Sequence, residues 1–131
     1  MSYPPRPHKV WLLGNTYAFH VTGKDTAEKY AAVELSTPSG GEAPLHRHTR
    51  ESEGFYVIRG EFMVQYGDKK LKAEAGTFLH LEKHIPHSWK NVGSDTGSVL
   101  TTIVPAGLEN FFIDGGISIP DEIEAGSFSP P

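Results

Sequence analysis

Apolar positions in this chain fall in short runs closed by Gly, Pro, Asn or Asp, which is the pattern of β-strands and tight turns rather than of amphipathic helices. Residues 10–13 and 17–21 flank Gly14-Asn15-Thr16 and predict an N-terminal hairpin over about residues 9–21. Residues 31–36 and 43–48 are separated by Thr37-Pro38-Ser39-Gly40-Gly41, and residues 54–58 and 62–66 by Arg59-Gly60-Glu61. Tyr66-Gly67-Asp68-Lys69 turns the chain into Leu71, and residues 77–81, 87–90 and 99–104 supply three more strands. Alternation along these runs is imperfect, as expected where one face lines a barrel and the other is partly covered. Residues 105–112 predict one or two helical turns that set Leu108, Phe111 and Phe112 on one face as a cap for the barrel. From Pro120 the composition turns to Asp, Glu, Ser, Gly and Pro, which reads as a tail or an arm wrapping a partner.

Composition supports an all-β class, because 14 Gly and 10 Pro in 131 residues would break helices repeatedly. With no internal repeat and no linker, residues 1–131 read as one domain: a barrel core over about 28–104, the N-terminal hairpin, and a capping segment with its tail over 105–131. A net charge of -4 without a Lys/Arg cluster makes nucleic acid and anionic membranes unexpected partners. No apolar run has the length of a membrane span. The first residues lack the apolar segment and cleavage site of a secretory signal, so the cytoplasm is the expected compartment.

The absence of cysteine leaves His and carboxylate as the strong metal ligands available. Five of the seven histidines, at 46, 48, 80, 84 and 87, are crowded into one stretch. In Leu45-His46-Arg47-His48 the two imidazoles are one residue apart, so an extended backbone projects both from the same face as a chelate. Glu53 follows across a polar stretch, and His87 comes much later, just after Pro86. Three imidazoles and one carboxylate, His46, His48, His87 and Glu53, match the needs of one divalent transition metal. Glu51 competes as the carboxylate but lacks the apolar run that follows Gly54, so it is expected to be solvated. His80 is expected on the opposite pleat face, hydrogen-bonded to a neighbour, and His84 as an exposed loop residue, with reach to the pocket mouth as the alternative. His8 and His20 carry no signal. Phe55, Tyr56, Phe62, Tyr66, Phe78 and Trp89 are expected in the core, some of them lining an apolar pocket.

Over residues 28–112 the sequence resembles the cupin superfamily. Gly40, His46, His48, Glu53 and Gly60 meet every spacing of its first motif, and Gly76, Pro86-His87 and Asn91 meet its looser second motif. Glu74 stands where that second motif usually has proline, and Glu82 and His84 replace its usual Pro and Gly, which alters a loop and not the ligand set. Asp25-Thr26, residues 38–60 and residues 105–112 look most like small single-domain proteins related to quercetin 2,3-dioxygenase.

The resemblance implies a double-stranded β-helix, or jelly-roll barrel, with a short C-terminal helix. It also implies one divalent metal, Fe, Mn, Ni, Cu, Co or Zn, on His46, His48, Glu53 and His87. The implied activity is dioxygenase-like oxidation of a small ring-containing substrate, with Glu53 as the catalytic group. A metal-dependent isomerase or lyase, or a non-catalytic small-molecule binder, are the alternatives, since one fold serves many reactions. The need to cover sheet edges leads to the expectation of a homodimer.

Overall fold

The computed structural model describes residues 7–124 and 127–130, and its strands run β1 (His8–Leu12), β2 (Asn15–Val21), β3 (Ala31–Thr37), β4 (Glu42–His46), β5 (Ser52–Arg59), β6 (Glu61–Tyr66), β7 (Lys69–Glu74), β8 (Phe78–Leu81), β9 (His87–Asn91), β10 (Gly97–Val104) and β11 (Ile117–Ser118). One helix, α1 (Glu109–Gly115), falls between the last two strands. A seven-stranded sheet in the order β11-β1-β2-β3-β10-β5-β8 faces a four-stranded sheet in the order β4-β9-β6-β7, and the pairings are antiparallel. This is the expected jelly-roll architecture, and no helix among the described residues is long and apolar enough to cross a membrane.

Two apolar clusters hold the sheets. One joins Leu35, Phe55, Val57, Phe62, Val64, Leu81, Trp89 and Val99 between the two sheets. Phe62 lies edge-on to both Phe55 and Trp89, with ring centroids 5.9 and 6.0 Å apart. Such burial contributes roughly 2–3 kcal/mol per large side chain, and edge-to-face pairing adds a fraction more. The second cluster joins Val10, Phe19, Ala31, Val33, Ile103 and Ala106 to Phe112 and Ile113 of α1. It lies where the larger sheet extends past the smaller one.

Several expectations needed correction. The hairpin turns one step earlier than Gly14-Asn15-Thr16: Leu13 and Gly14 take φ 51° and 88°, and Asn15 already belongs to β2. A two-residue connection with both φ positive matches the twist of the flanking strands, but left-handed backbone costs a residue such as leucine about 1 kcal/mol. β4 stops at His46, so His48 lies in the loop beyond it, and β5 begins at Ser52, so Glu53 is a strand residue. The helix starts at Glu109 because Pro105, Ala106 and Gly107 (φ 141°) form a bend ahead of it.

Tyr56 and Phe78 are not core. They pair across β5 and β8 on the outer face, and Phe78 is 59% exposed. Phe78 also lies over Gly54, where an added Cβ would fall 2.8 Å from its ring. The stretch after β11 folds back on its own chain: Ile119 donates to the Lys9 carbonyl, Lys9 Nζ donates to the Ile123 carbonyl, and Ile119 is buried. Residues 120–124 are therefore not a free arm, and the remainder of the predicted tail lies partly outside the described residues.

Candidate metal centre

The three imidazoles reach one point from two antiparallel strands and a loop. His46 on β4 and His87 on β9 are register partners, and the chain leaving β4 swings His48 in beside them. Ring centroids are 4.9 Å apart for His46 and His48, 4.4 Å for His46 and His87, and 5.4 Å for His48 and His87. One nitrogen from each ring lies within 4.8 Å of the others. Glu53 comes from the opposite sheet. Its Oε1 is 2.9 Å from His48 Nε2, and its Oε2 is 3.7 Å from His87 Nε2.

In each ring the other nitrogen faces an oxygen acceptor. His46 Nδ1 donates to the Pro44 carbonyl at 2.6 Å, His87 Nδ1 donates to the Ile85 carbonyl at 3.3 Å, and His48 Nδ1 lies 3.2 Å from Glu51 Oε1. The carbonyl contacts assign the proton of His46 and His87 to Nδ1 and turn a lone pair on Nε2 inward, the arrangement that orients metal-binding imidazoles, while His48 lies between the Glu51 and Glu53 carboxylates. His48 Nε2 and His87 Nε2 are buried and have no hydrogen-bond partner among the described residues, although Glu53 oxygens lie 2.9 and 3.7 Å from them. A buried polar atom left unpaired is costly, and a shared cation removes that cost for both rings at once. The donor set therefore fits a divalent transition metal, and His46, His48 and His87 can hold one.

The electrostatics are uneven across the cluster. The Glu53 carboxylate beside His48 raises that imidazole's pKa, whereas burial, opposed by Glu53, lowers that of His87. His87 is only 2% exposed.

Glu51 is the carboxylate expected in solvent. It is not solvated: its side chain is 12% exposed and it backs His48. Its position three residues after His48, on a loop that folds back, was the available signal. His80 does sit on the outer face, 3.2 Å from Glu82 Oε2. His84 is exposed and lines no part of the cavity, but its backbone N–H donates to the His48 carbonyl at 2.6 Å and so fixes that loop. Glu82, held by the Ser52 hydroxyl, His80 and the Lys83 amide, has its pKa lowered to about 2.

A cavity of about 410 Å³ opens from this cluster, with His46, His48 and Glu53 at one end. Its wall continues over Ile103, Thr101, Val33 and Leu35 of the larger sheet to Tyr17, Asn15, Leu12 and Leu13 of the hairpin. Leu108, Phe111 and Phe112 cover it as the sequence predicted, and Phe112 stacks on Tyr17 with centroids 4.4 Å apart. Burial raises the Tyr17 pKa, so its hydroxyl stays protonated in the neutral range.

A two-sheet jelly roll with inward imidazoles beside a carboxylate defines a cupin. Residues 33–103 match the Cupin domain family, and the chain belongs to it. It is 26% identical over 89 residues to quercetin 2,3-dioxygenase of Bacillus subtilis, a match that takes in 68% of this chain and 26% of that protein. It is 25% identical over 93 residues to the oxalate-binding protein of Thermotoga maritima, covering 70% and 77% respectively. The crystal structure of a predicted oxalate decarboxylase from Thermotoga maritima superposes with a TM-score of 0.71 at 20% identity, covering 80% of this chain and 99% of that one. Two curated relatives are matched over less than two thirds of their own length, 62% and 26%.

Proposed function

We propose that this cupin holds one divalent transition metal on His46, His48, Glu53 and His87 and acts as a dioxygenase-like oxidoreductase on a small, ring-containing organic substrate. The observation that carries this reading is the pair of buried, unpartnered Nε2 atoms on His48 and His87, set against Glu53 at one end of a mainly apolar cavity. When bound, the ion supplies a Lewis acid that acidifies a substrate hydroxyl or enol and offers open positions for substrate and oxygen.

The protein's own groups do the rest. Glu53 lines the cavity and takes the proton released by the substrate head, within the reach a general base needs. Ile103, Val33, Leu35 and Phe112 exclude water from the substrate body and raise the strength of charge interactions at the head. The Pro44 and Ile85 carbonyls and Glu51 hold the imidazoles in one orientation throughout. Quercetin 2,3-dioxygenase among the relatives supports the oxidative reading.

The oxalate-binding relative, equally distant, supports a second: a binder in which the metal only anchors a ligand. Elemental analysis of protein purified without added metal, followed by turnover of enolisable ring compounds with and without oxygen, separates them. Oxygen-dependent turnover lost in Glu53→Ala is the expected result. Turnover without oxygen would point to isomerase or lyase chemistry, and metal with no turnover of any compound would leave the binder.

A further inference from the structure

The cavity has a direction, and register gives its length. Glu53 on β5 neighbours Ile103 on β10, Thr101 on β10 pairs with Val33 on β3, and Leu35 on β3 pairs with Tyr17 on β2. All six line the same cavity. Crossing from β5 to β2 takes three strand spacings, or about 14 Å. The cavity is therefore a slot, with the imidazole cluster at one end and the hairpin at the other.

The far half of this slot comes from outside the segment that matches the family, residues 33–103. It is built by Leu12, Leu13, Tyr17, Leu108, Phe111 and Phe112. Leu13 and Phe111 are 82% and 64% exposed, yet both belong to the lining, which puts two large apolar side chains on the rim. Leu13 also holds a left-handed turn position where asparagine or glycine is the unstrained choice. A side chain kept on the rim against its backbone preference points to a contact with something that enters there. Away from the cluster, Asn15, Thr101 and Tyr17 are uncharged and Glu42 is the single charged residue of the lining.

We infer that the protein takes elongated amphiphiles, with an uncharged apolar body lying along the slot from β5 to β2, selected at the rim by Leu13 and Phe111, and an oxygen-bearing head at the Glu53 end. The head's position rests on the metal reading above, and the body's does not.

Alkyl hydroxamates of increasing length, titrated calorimetrically into zinc-loaded and chelator-treated protein, test this. Each buried methylene adds about fourfold in affinity, so octanohydroxamate is expected to bind about 60-fold tighter than acetohydroxamate if three of its methylenes seat in the slot. Leu13→Asn combined with Phe111→Ser should shrink that ratio by about tenfold while leaving acetohydroxamate affinity unchanged, since burial of roughly two methylenes is lost. Both substitutions are at exposed positions, and the first creates the favoured Asn-Gly turn, so folding is preserved. Equal affinity for the two probes, or a ratio unmoved by the double variant, overturns the slot. A length preference that persists after chelation, with no metal effect on either probe, supports the slot and counts against the metal-bound head.

Discussion

The two ends of one cavity are built on different principles. At the inner end, His46, His48 and His87 come from two paired strands and one short loop and Glu53 from the facing sheet, all within the segment shared with the family, and each imidazole is aimed by an oxygen two or three residues away. At the outer end, the hairpin and α1 lie outside that segment and meet through apolar contact, chiefly Tyr17 on Phe112. The proposed chemistry thus sits where neighbouring oxygens fix the side chains, and the proposed selectivity sits on elements outside the matched segment.

The sharpest way to break this contrast is to remove a proposed inner ligand. His87→Ala should lower metal affinity by more than about 100-fold, beyond the 10–100-fold typical of outer partners, as read by elemental analysis after dialysis. Slot binding by a long apolar probe should survive it.

The converse is Glu109→Ala. Glu109 is 1% exposed and accepts from the Gly23 and Gly107 amides at 2.8 and 2.7 Å, tying the start of α1 to the loop before β3. Leaving those donors unpaired should cost about 3 kcal/mol in urea unfolding while metal content stays whole.

A finer probe is Glu51→Ala, which leaves every proposed ligand in place but frees the His48 ring. Metal affinity should fall about tenfold, toward the low end for such partners, in a competition titration with a chromophoric chelator. The smallest effect belongs to Leu13→Asn alone: relief of the left-handed leucine should stabilise the fold by about 1 kcal/mol and raise the thermal midpoint by several degrees.

Most of the architecture was legible because Gly and Pro punctuate the strands; the His-x-His pair was legible too, although the loop after β4, and not an extended strand, brings His48 beside His46. That His87 and Glu53 join the pair from distant segments was legible only through motif spacing. Glu51 was legible only as a spacing of three residues from His48, which does not tell a loop carboxylate in water from one folded back on an imidazole. Tyr56 and Phe78 failed for a related reason: alternation puts them on one face of β5 and β8, but which face the second sheet covers is a tertiary fact. The helix start shifted because Gly107 and the bend before it delay the first turn, which periodicity does not register.

The contacts that aim the imidazoles have an evolutionary and engineering consequence. Since Pro44, Glu51 and Ile85 belong to the same two short peptides as the histidines they orient, residues 44–53 and 85–87 carry donors and alignment together. They form a portable cassette that another jelly roll with matching strand register can receive by loop grafting, without its remote packing being rebuilt.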